Sequence, residues 1–303
     1  MNASNQWDGK SKGSATGTRI FIKLISLTGL FPAYCLLVPV SLYYTCKEKK
    51  SSAALRRFRS HLSLPTTFFH LWRHFFSFGM NLLDRYAFLN NPGTTFKLHI
   101  IGESIIKNAV ASGKGALLVG AHMGNWEIAG NLLNRRLGFI VNFAMVDAEK
   151  NDMRAALAPV FARRRASIIP VNQQPLEFLL SVVTALRRNE IVCLHADRMA
   201  GGRGKQALFF KKPATFPLSP FALAATSGAP IIPFFAVKKG LRSYEIRCFE
   251  PIDVNSCPGA DSDERYGAAL KKYLAILERM VTENPYEWFN FYDFWGEGAK
   301  PSA

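Results

Sequence analysis

A chain of 303 residues, 49% of them hydrophobic, has enough apolar material for one large domain or two ordinary ones. Lys and Arg outnumber Asp and Glu by 38 to 22, a formal net charge of +16, so an acidic partner is expected: an anionic membrane surface, an acidic carrier protein or nucleic acid. The cysteines (Cys35, Cys46, Cys193, Cys248 and Cys257) are odd in number, widely spaced and lack a C-x-x-C pair, which argues against a disulfide framework or a zinc site and for a reducing compartment.

Residues 1–18 are polar, rich in Ser, Gly, Lys and Asn, and are expected to be disordered. Residues 19–50 are expected to anchor the chain to a membrane. Their centre, 24–46, carries no charge and is long enough to cross a bilayer at about 1.5 Å per residue. Pro32 and Pro39 interrupt it, so it either spans or lies in the interface; the alternative is a buried, kinked hairpin. Basic residues precede it (Lys10, Lys12, Arg19, Lys23) and a larger group follows (Lys47, Lys49, Lys50, Arg56, Arg57, Arg59), which favours a cytoplasmic C-terminal side. The apolar stretch is too long for a cleaved signal peptide, and no A-x-A site closes it. Residues 51–95 are aromatic and basic and read as a membrane-proximal helical region. His70 and His74 there stand one helical turn apart, but no H-E-x-x-H glutamate accompanies them, so aromatic anchoring is the better reading than metal binding.

From residue 96 to 297 apolar strands alternate with helices. FKLHIIG, GALLVGA, FIVNFAMV, ASIIPV, EIVCLHA and APIIPFFAV read as strands. NWEIAGNLLNRRL, residues 151–165, PLEFLLSVVTALRRN and LSPFALAATSG (with Gly228 at its end) read as helices, and a long helix closes the series from Asp263. This order predicts an α/β fold with a mainly parallel central sheet flanked by helices. SYEIRCFEPIDV is expected to add an antiparallel edge hairpin.

Several chemistries have no motif. The Walker G-x-x-x-x-G-K-[ST] is missing, no G-x-S-x-G or G-x-G-x-x-G follows a strand, and no nucleic-acid-binding motif supports the charge. What does stand out is GAHMGNWEIAG. The strand GALLVGA should deliver His122 to the sheet's C-terminal edge, where ligands bind in open α/β sheets. Gly124 and Asn125 suit a turn into a helix that Asn125 caps, and Glu127 falls in its first turn. A carboxylate reaching back to one imidazole nitrogen would fix the tautomer and leave the other nitrogen to take a proton from an alcohol, with no serine or cysteine nucleophile needed. Alone, such a pair fits a structural histidine and a solvated glutamate better.

The later segments LHADRMAGGRG, ALFFKKPATFPLSPFALAATSGAPIIPFF and NPYEWFNFYDFW follow GAHMGNWEIAG in an order that resembles the lipid A lauroyl and myristoyl acyltransferase family, part of the H-x4-D/E acyltransferase group. The resemblance covers roughly residues 20 to 295. It implies acyl transfer from an acyl carrier protein or coenzyme A thioester to a lipid or glycolipid hydroxyl. The expected place is the bacterial inner membrane, with the catalytic domain facing the cytoplasm and no metal or cofactor. It also implies His122 as general base with Glu127 as partner, and structural or substrate-binding roles for Asp197 and Arg198. Arg203 and Lys205 become candidates for phosphate or carrier contacts. A turn at Pro213, Ala214 and Thr215 becomes a candidate pocket wall, and Asn125 a candidate substrate contact. Arginine clusters at 135–136, 163–165 and 187–188 are candidate docking points for an acidic carrier or anionic lipid. Two departures bear on the acceptor. AMVDAEKND lacks the arginine of the family's Y-R-P-like segment, and the aromatic box ends in Asp293 and Phe294, not in the family's K/R-F. Both remove positive charge, which leaves the acceptor open to another glycolipid, an ornithine lipid or a polyene lipid. A membrane-binding scaffold that keeps the fold without catalysis, and a basic nucleic-acid binder, are the competing readings.

Overall fold

The computed structural model describes residues 15–90, 96–145, 167–171, 174–199 and 201–296. The helix expected at 151–165, with its arginines, lies outside them, as do residues 1–14 and 146–150.

A seven-stranded sheet organises the chain, in the order β1-β9-β8-β2-β5-β3-β4. Its strands are β1 (Lys97–Ile101), β2 (Ala116–Gly120), β3 (Val141–Met145), β4 (Ser167–Pro170), β5 (Ile191–His195), β8 (Ile231–Gly240) and β9 (Ser243–Cys248). β8, β2, β5, β3 and β4 run parallel. β9 returns antiparallel to β8 as expected, but β1 lies parallel along its outer side, so the hairpin is not the edge. β2 is buried at every position, as a central parallel strand covered on both faces must be. Its residues divide with period two: Leu117 and Val119 enter one core with α7 (Pro175–Arg187), α8 (Ser219–Ser227) and α9 (Ser262–Glu283). Ala116 and Leu118 enter the other, with α5 (Glu103–Ala111) and α6 (Trp126–Leu137).

β6 (Gly204–Phe209) and β7 (Lys212–Pro217) form a separate antiparallel hairpin. The expected turn at Pro213 to Thr215 is therefore corrected. The reversal comes earlier, at Phe210 and Lys211, both with positive φ, the geometry a two-residue hairpin demands, and Pro213 to Thr215 are strand residues.

The N-terminal region is also revised. The apolar stretch is broken at Gly29, whose φ of 82° ends α1 (Ala15–Thr28) before α2 (Leu30–Lys47) begins. No helix among the described residues is long and apolar enough to cross a membrane. α1 and α2 bury Ile25, Leu30, Ala33, Tyr34 and Leu37 against Leu83, Tyr86 and Ala87 of α4 (Phe68–Asn90). The Tyr34 hydroxyl, the Lys238 ammonium of β8 and the Tyr244 hydroxyl of β9 all donate to the buried Asp84 carboxylate, tying α2 and α4 to the sheet. α4 carries fewer surface aromatics than expected: Phe75 and Phe78 pack on Phe291 and Phe289, leaving Phe68 and Phe69 exposed. Leu55 and Phe58 of α3 (Lys49–His61) and Leu71 of α4 share the core of the α/β layers, so packing is continuous across residue 96.

Candidate active site

β2 and β5 are neighbours with Gly120 opposite His195. Continuing that register by two residues sets His122 beside Asp197 beyond the C-terminal ends of two parallel strands. The pair is joined twice. Asp197 Oδ2 accepts the His122 backbone N–H at 3.0 Å, and Oδ1 accepts Nδ1–H at 2.8 Å. Trp288 Nε1–H donates to Oδ2 at 3.1 Å. Asp197 is fully buried, which raises its carboxyl pKa, yet His122, Arg198 and His195 outweigh burial and hold it well below the carboxylate range. An ionised carboxylate only accepts hydrogen bonds, so Nδ1 carries the proton and Nε2 is the basic nitrogen. Burial and the Arg198 charge lower the His122 pKa against the pull of Asp197, which keeps the imidazole neutral near pH 7.

The carboxylate on Nδ1 is thus that of Asp197. Glu127, expected there, lies 2.9 Å from Arg85 of α4 and is itself buried. The reason is the cap: Asn125 Oδ1 accepts from Ile128 N at 3.4 Å, starting α6 in an orientation that turns Glu127 toward α4. Asn125 Nδ2 donates to Asn81 O at 2.7 Å, so this residue joins α6 to α4. Arg198 is half-buried, donates to Phe289 O and lies 5.4 Å from the Tyr292 ring centre. Arg203 and Lys205 are both paired with Asp263 of α9. Thr215 pairs with Gln206 across the hairpin, its methyl beside Gly204 and Met199. His195, with its ring 4.4 Å from those of His122 and Trp126, was not singled out from sequence. His122, His195 and Asp197 bring one ligand atom each within 4.8 Å of one another, a spacing a metal could use. The three N–H groups already on Asp197 make a hydrogen-bonded pair the better description.

The loop carrying His122 is held from two sides. Gly124 N–H donates to Glu287 O and Asn125 N–H to Ala236 O, both at 2.8 Å, and Phe289 N–H donates to His122 O at 2.7 Å. Gly124 has φ of 60°, and a Cβ there would collide with the Ala236 carbonyl. Gly124→Ala is expected to destabilise the fold by about 2–3 kcal/mol or more; urea unfolding checks this, and a variant within about 0.5 kcal/mol of wild type contradicts it.

Behind the loop, His74 Nε2–H donates to Trp288 O at 2.9 Å, and burial lowers the imidazole pKa from 6.5 to about 4. Between those values the unfolded chain takes a proton that the folded one refuses. Stability is therefore full above pH 6.5, falls as pH drops toward 4 and stops falling below it, by about 3 kcal/mol from this residue. His74→Gln should shrink the difference between urea midpoints at pH 7 and pH 4.5; an undiminished difference would place the acid sensitivity elsewhere.

Comparison with known proteins bears on this geometry. A phosphatidylinositol mannoside acyltransferase of Mycobacterium tuberculosis is 28% identical over 195 residues, 62% of this chain and 56% of its own length. One of Mycolicibacterium smegmatis is 27% identical over 167 residues, 53% of this chain and 52% of its own. The chain thus spans about half the length of the curated relatives it matches. The crystal structure of the 1-acyl-sn-glycerophosphate acyltransferase PlsC from Thermotoga maritima aligns with 89% of this chain and 96% of its own at a TM-score of 0.37 and 13% identity. The model of the bacterial lipid A biosynthesis acyltransferases matches residues 74–296, more than half of the chain and the whole of the segment from His74 through His122 and Asp197 to the aromatic box, and the chain belongs to that family.

Proposed function

We propose that the protein is an O-acyltransferase that moves a fatty acyl chain from an acyl carrier protein or coenzyme A thioester to a hydroxyl of a lipid or glycolipid. The observation that carries this is His122 held on Asp197 at the sheet edge, in a chain of this family. Nε2 takes the acceptor's hydroxyl proton as its oxygen attacks the thioester carbonyl. The carbon–sulfur bond breaks, and the imidazolium returns the proton to the departing thiolate. Asp197 holds the tautomer and offsets the imidazolium charge. Glu127 acts as a positioning residue, through Arg85 and the start of α6. The names of the mannoside relatives support a phosphorylated glycolipid as acceptor. The basic residue expected before Phe294 at the end of the aromatic box is replaced by Asp293, which pairs with Arg57, and this supports a headgroup different from lipid A. The experiment is mass spectrometry of lipids incubated with the protein and an acyl carrier thioester: a lipid heavier by one acyl chain is expected, and no acylated lipid from any acceptor class overturns the reading.

Membrane attachment at the inner membrane, with the α/β layers on the cytoplasmic side, fits helices lying in the interface. Leu27 is 72% and Phe31 65% exposed on the outer side of α1 and α2, and Ile20, Val38 and Leu42 extend the apolar face. Leu27→Glu with Phe31→Glu should lower co-sedimentation with anionic vesicles about tenfold or more, two buried side chains being worth at least that; unchanged binding would move the attachment elsewhere.

A further inference from the structure

Arg59, at the end of α3, is 1% exposed. Its Nε donates to Pro65 O at 2.5 Å, its Nη2 lies 3.4 Å from the Tyr286 hydroxyl, and its Nη1 is buried with no partner. Arg73, exposed on α4, stands with its guanidinium 4.2 Å from the Tyr286 ring centre; that of Arg59 is 4.8 Å from it. His70 Nδ1 is 2.5 Å from the same hydroxyl. Among the described residues neither guanidinium has a carboxylate within ion-pair reach. The acid next to Tyr286 in the chain, Glu287, is occupied by Ser77, Asn81 and the Lys238 backbone N–H. A buried guanidinium surrounded only by neutral oxygens and a ring is a costly arrangement, and a second cation stands against the same ring. The two arginines also disfavour a charged His70, after burial. Structures keep such an uncompensated cluster where an anion completes it.

We propose that Arg59, Arg73, His70 and the Tyr286 hydroxyl form a binding site for a phosphate ester anion. Arg73 and the Tyr286 edge are its solvent side, and Arg59 is its buried half. The planar guanidinium fork suits phosphate oxygens bidentately, and the hydrogen-bonded phenol–imidazole pair adds one neutral donor. The site is coupled to the chemistry. Tyr286 stands two residues before Trp288, which donates to Asp197, and at no more than about 3.6 Å per residue their Cα atoms lie within about 7 Å. His70 is one helical turn from His74, which donates to Trp288 O. A phosphate bound here sits beside the elements that hold the base. Resting on the acyl-transfer reading above, the anion is assigned to one of the two substrates: the phosphate of a phosphorylated glycolipid acceptor, or that of the donor's phosphopantetheine arm.

The first measurement needs no turnover. Thermal unfolding of the full chain is followed in inorganic phosphate and in chloride of equal ionic strength. A higher midpoint in phosphate, rising with the logarithm of its concentration, is expected for wild type and lost in Arg73→Gln, whose side chain is exposed and whose folding is not at stake. Arg59→Gln should also lose the response while being no less stable than wild type in chloride, because it removes a buried unpaired charge. Equal midpoints in the two salts for wild type, or a full response in both variants, overturns the site. The second measurement assigns the source. kcat/KM is compared for a glycolipid acceptor with and without its phosphate, and for acyl pantetheine against acyl phosphopantetheine. A wild-type preference of about tenfold for one phosphorylated form, lost in Arg73→Gln, identifies the carrier of the anion. No preference in either arm overturns the assignment to a substrate. Absence of acyl transfer with every substrate, with the phosphate response intact, rejects the enzymatic reading and leaves the anion site standing.

Discussion

Replacing His122 by Ala is expected to lower acyl transfer about 10³- to 10⁴-fold while the protein stays folded. The side chain is partly open at the sheet edge, and its ring is not a large element of either core, so a stability loss should be small beside the catalytic one. What is removed is the one nitrogen, Nε2, that the Asp197 contact leaves basic. Radiolabelled acyl transfer from carrier thioester to lipid, alongside a melting curve, checks it. Wild-type turnover in a folded His122→Ala protein rejects the general-base mechanism altogether. The pH profile adds a second reading. Burial and Arg198 place the His122 pKa below its ordinary 6.5, so the acid limb of kcat/KM should have its midpoint below that value, with activity present above it and lost as the ring protonates. Removing the Arg198 charge would move the limb upward.

Asp197→Asn is expected to cost nearly as much, about 10³- to 10⁴-fold in kcat, by the reasoning that applies to any buried carboxylate orienting a catalytic imidazole. The amide can offer its NH₂ to Nδ1, which selects the wrong tautomer, and it no longer offsets the imidazolium charge. The double variant should be little worse than either single one, because the two residues act as a unit. Glu127→Gln is the informative control. Its carboxylate is set on Arg85, so the variant should lose stability, about 3 kcal/mol for breaking one side of a buried pair, and lose less activity than Asp197→Asn. The reverse order, with Glu127→Gln the more damaging to kcat in a folded protein, would return the orienting role to Glu127.

The contrast between these acids shows how far a linear reading reaches. His122 was legible because the apolar run of β2 ends just before it, and the ligand edge of a parallel sheet follows from that. Asn125 was legible as a cap because capping is local. Glu127 was close in sequence and chemically suitable, but a helix points its first residues according to the cap and the packing of its own face, and that face meets α4. Asp197, 75 residues away, is brought to the imidazole by the pairing of β2 with β5. The resemblance implies a turn at Pro213 to Thr215, whereas the hairpin register sets it at Phe210 and Lys211. Arg85, Trp288 and Glu287 were invisible as site supports, because each acts through a contact between distant segments.

The α/β class, the parallel core, the delivery of His122 to a sheet edge and the basic surplus follow from periodicity and composition acting over a few residues at a time. Only the tertiary structure decided which carboxylate holds the base. It alone turned the apolar N-terminal stretch into two helices packed on α4, and left Arg59 buried without an acid. These depend on strand register and on which helix faces meet, and both are settled by the whole chain's burial of apolar surface and pairing of buried polar groups, which no short stretch of sequence contains.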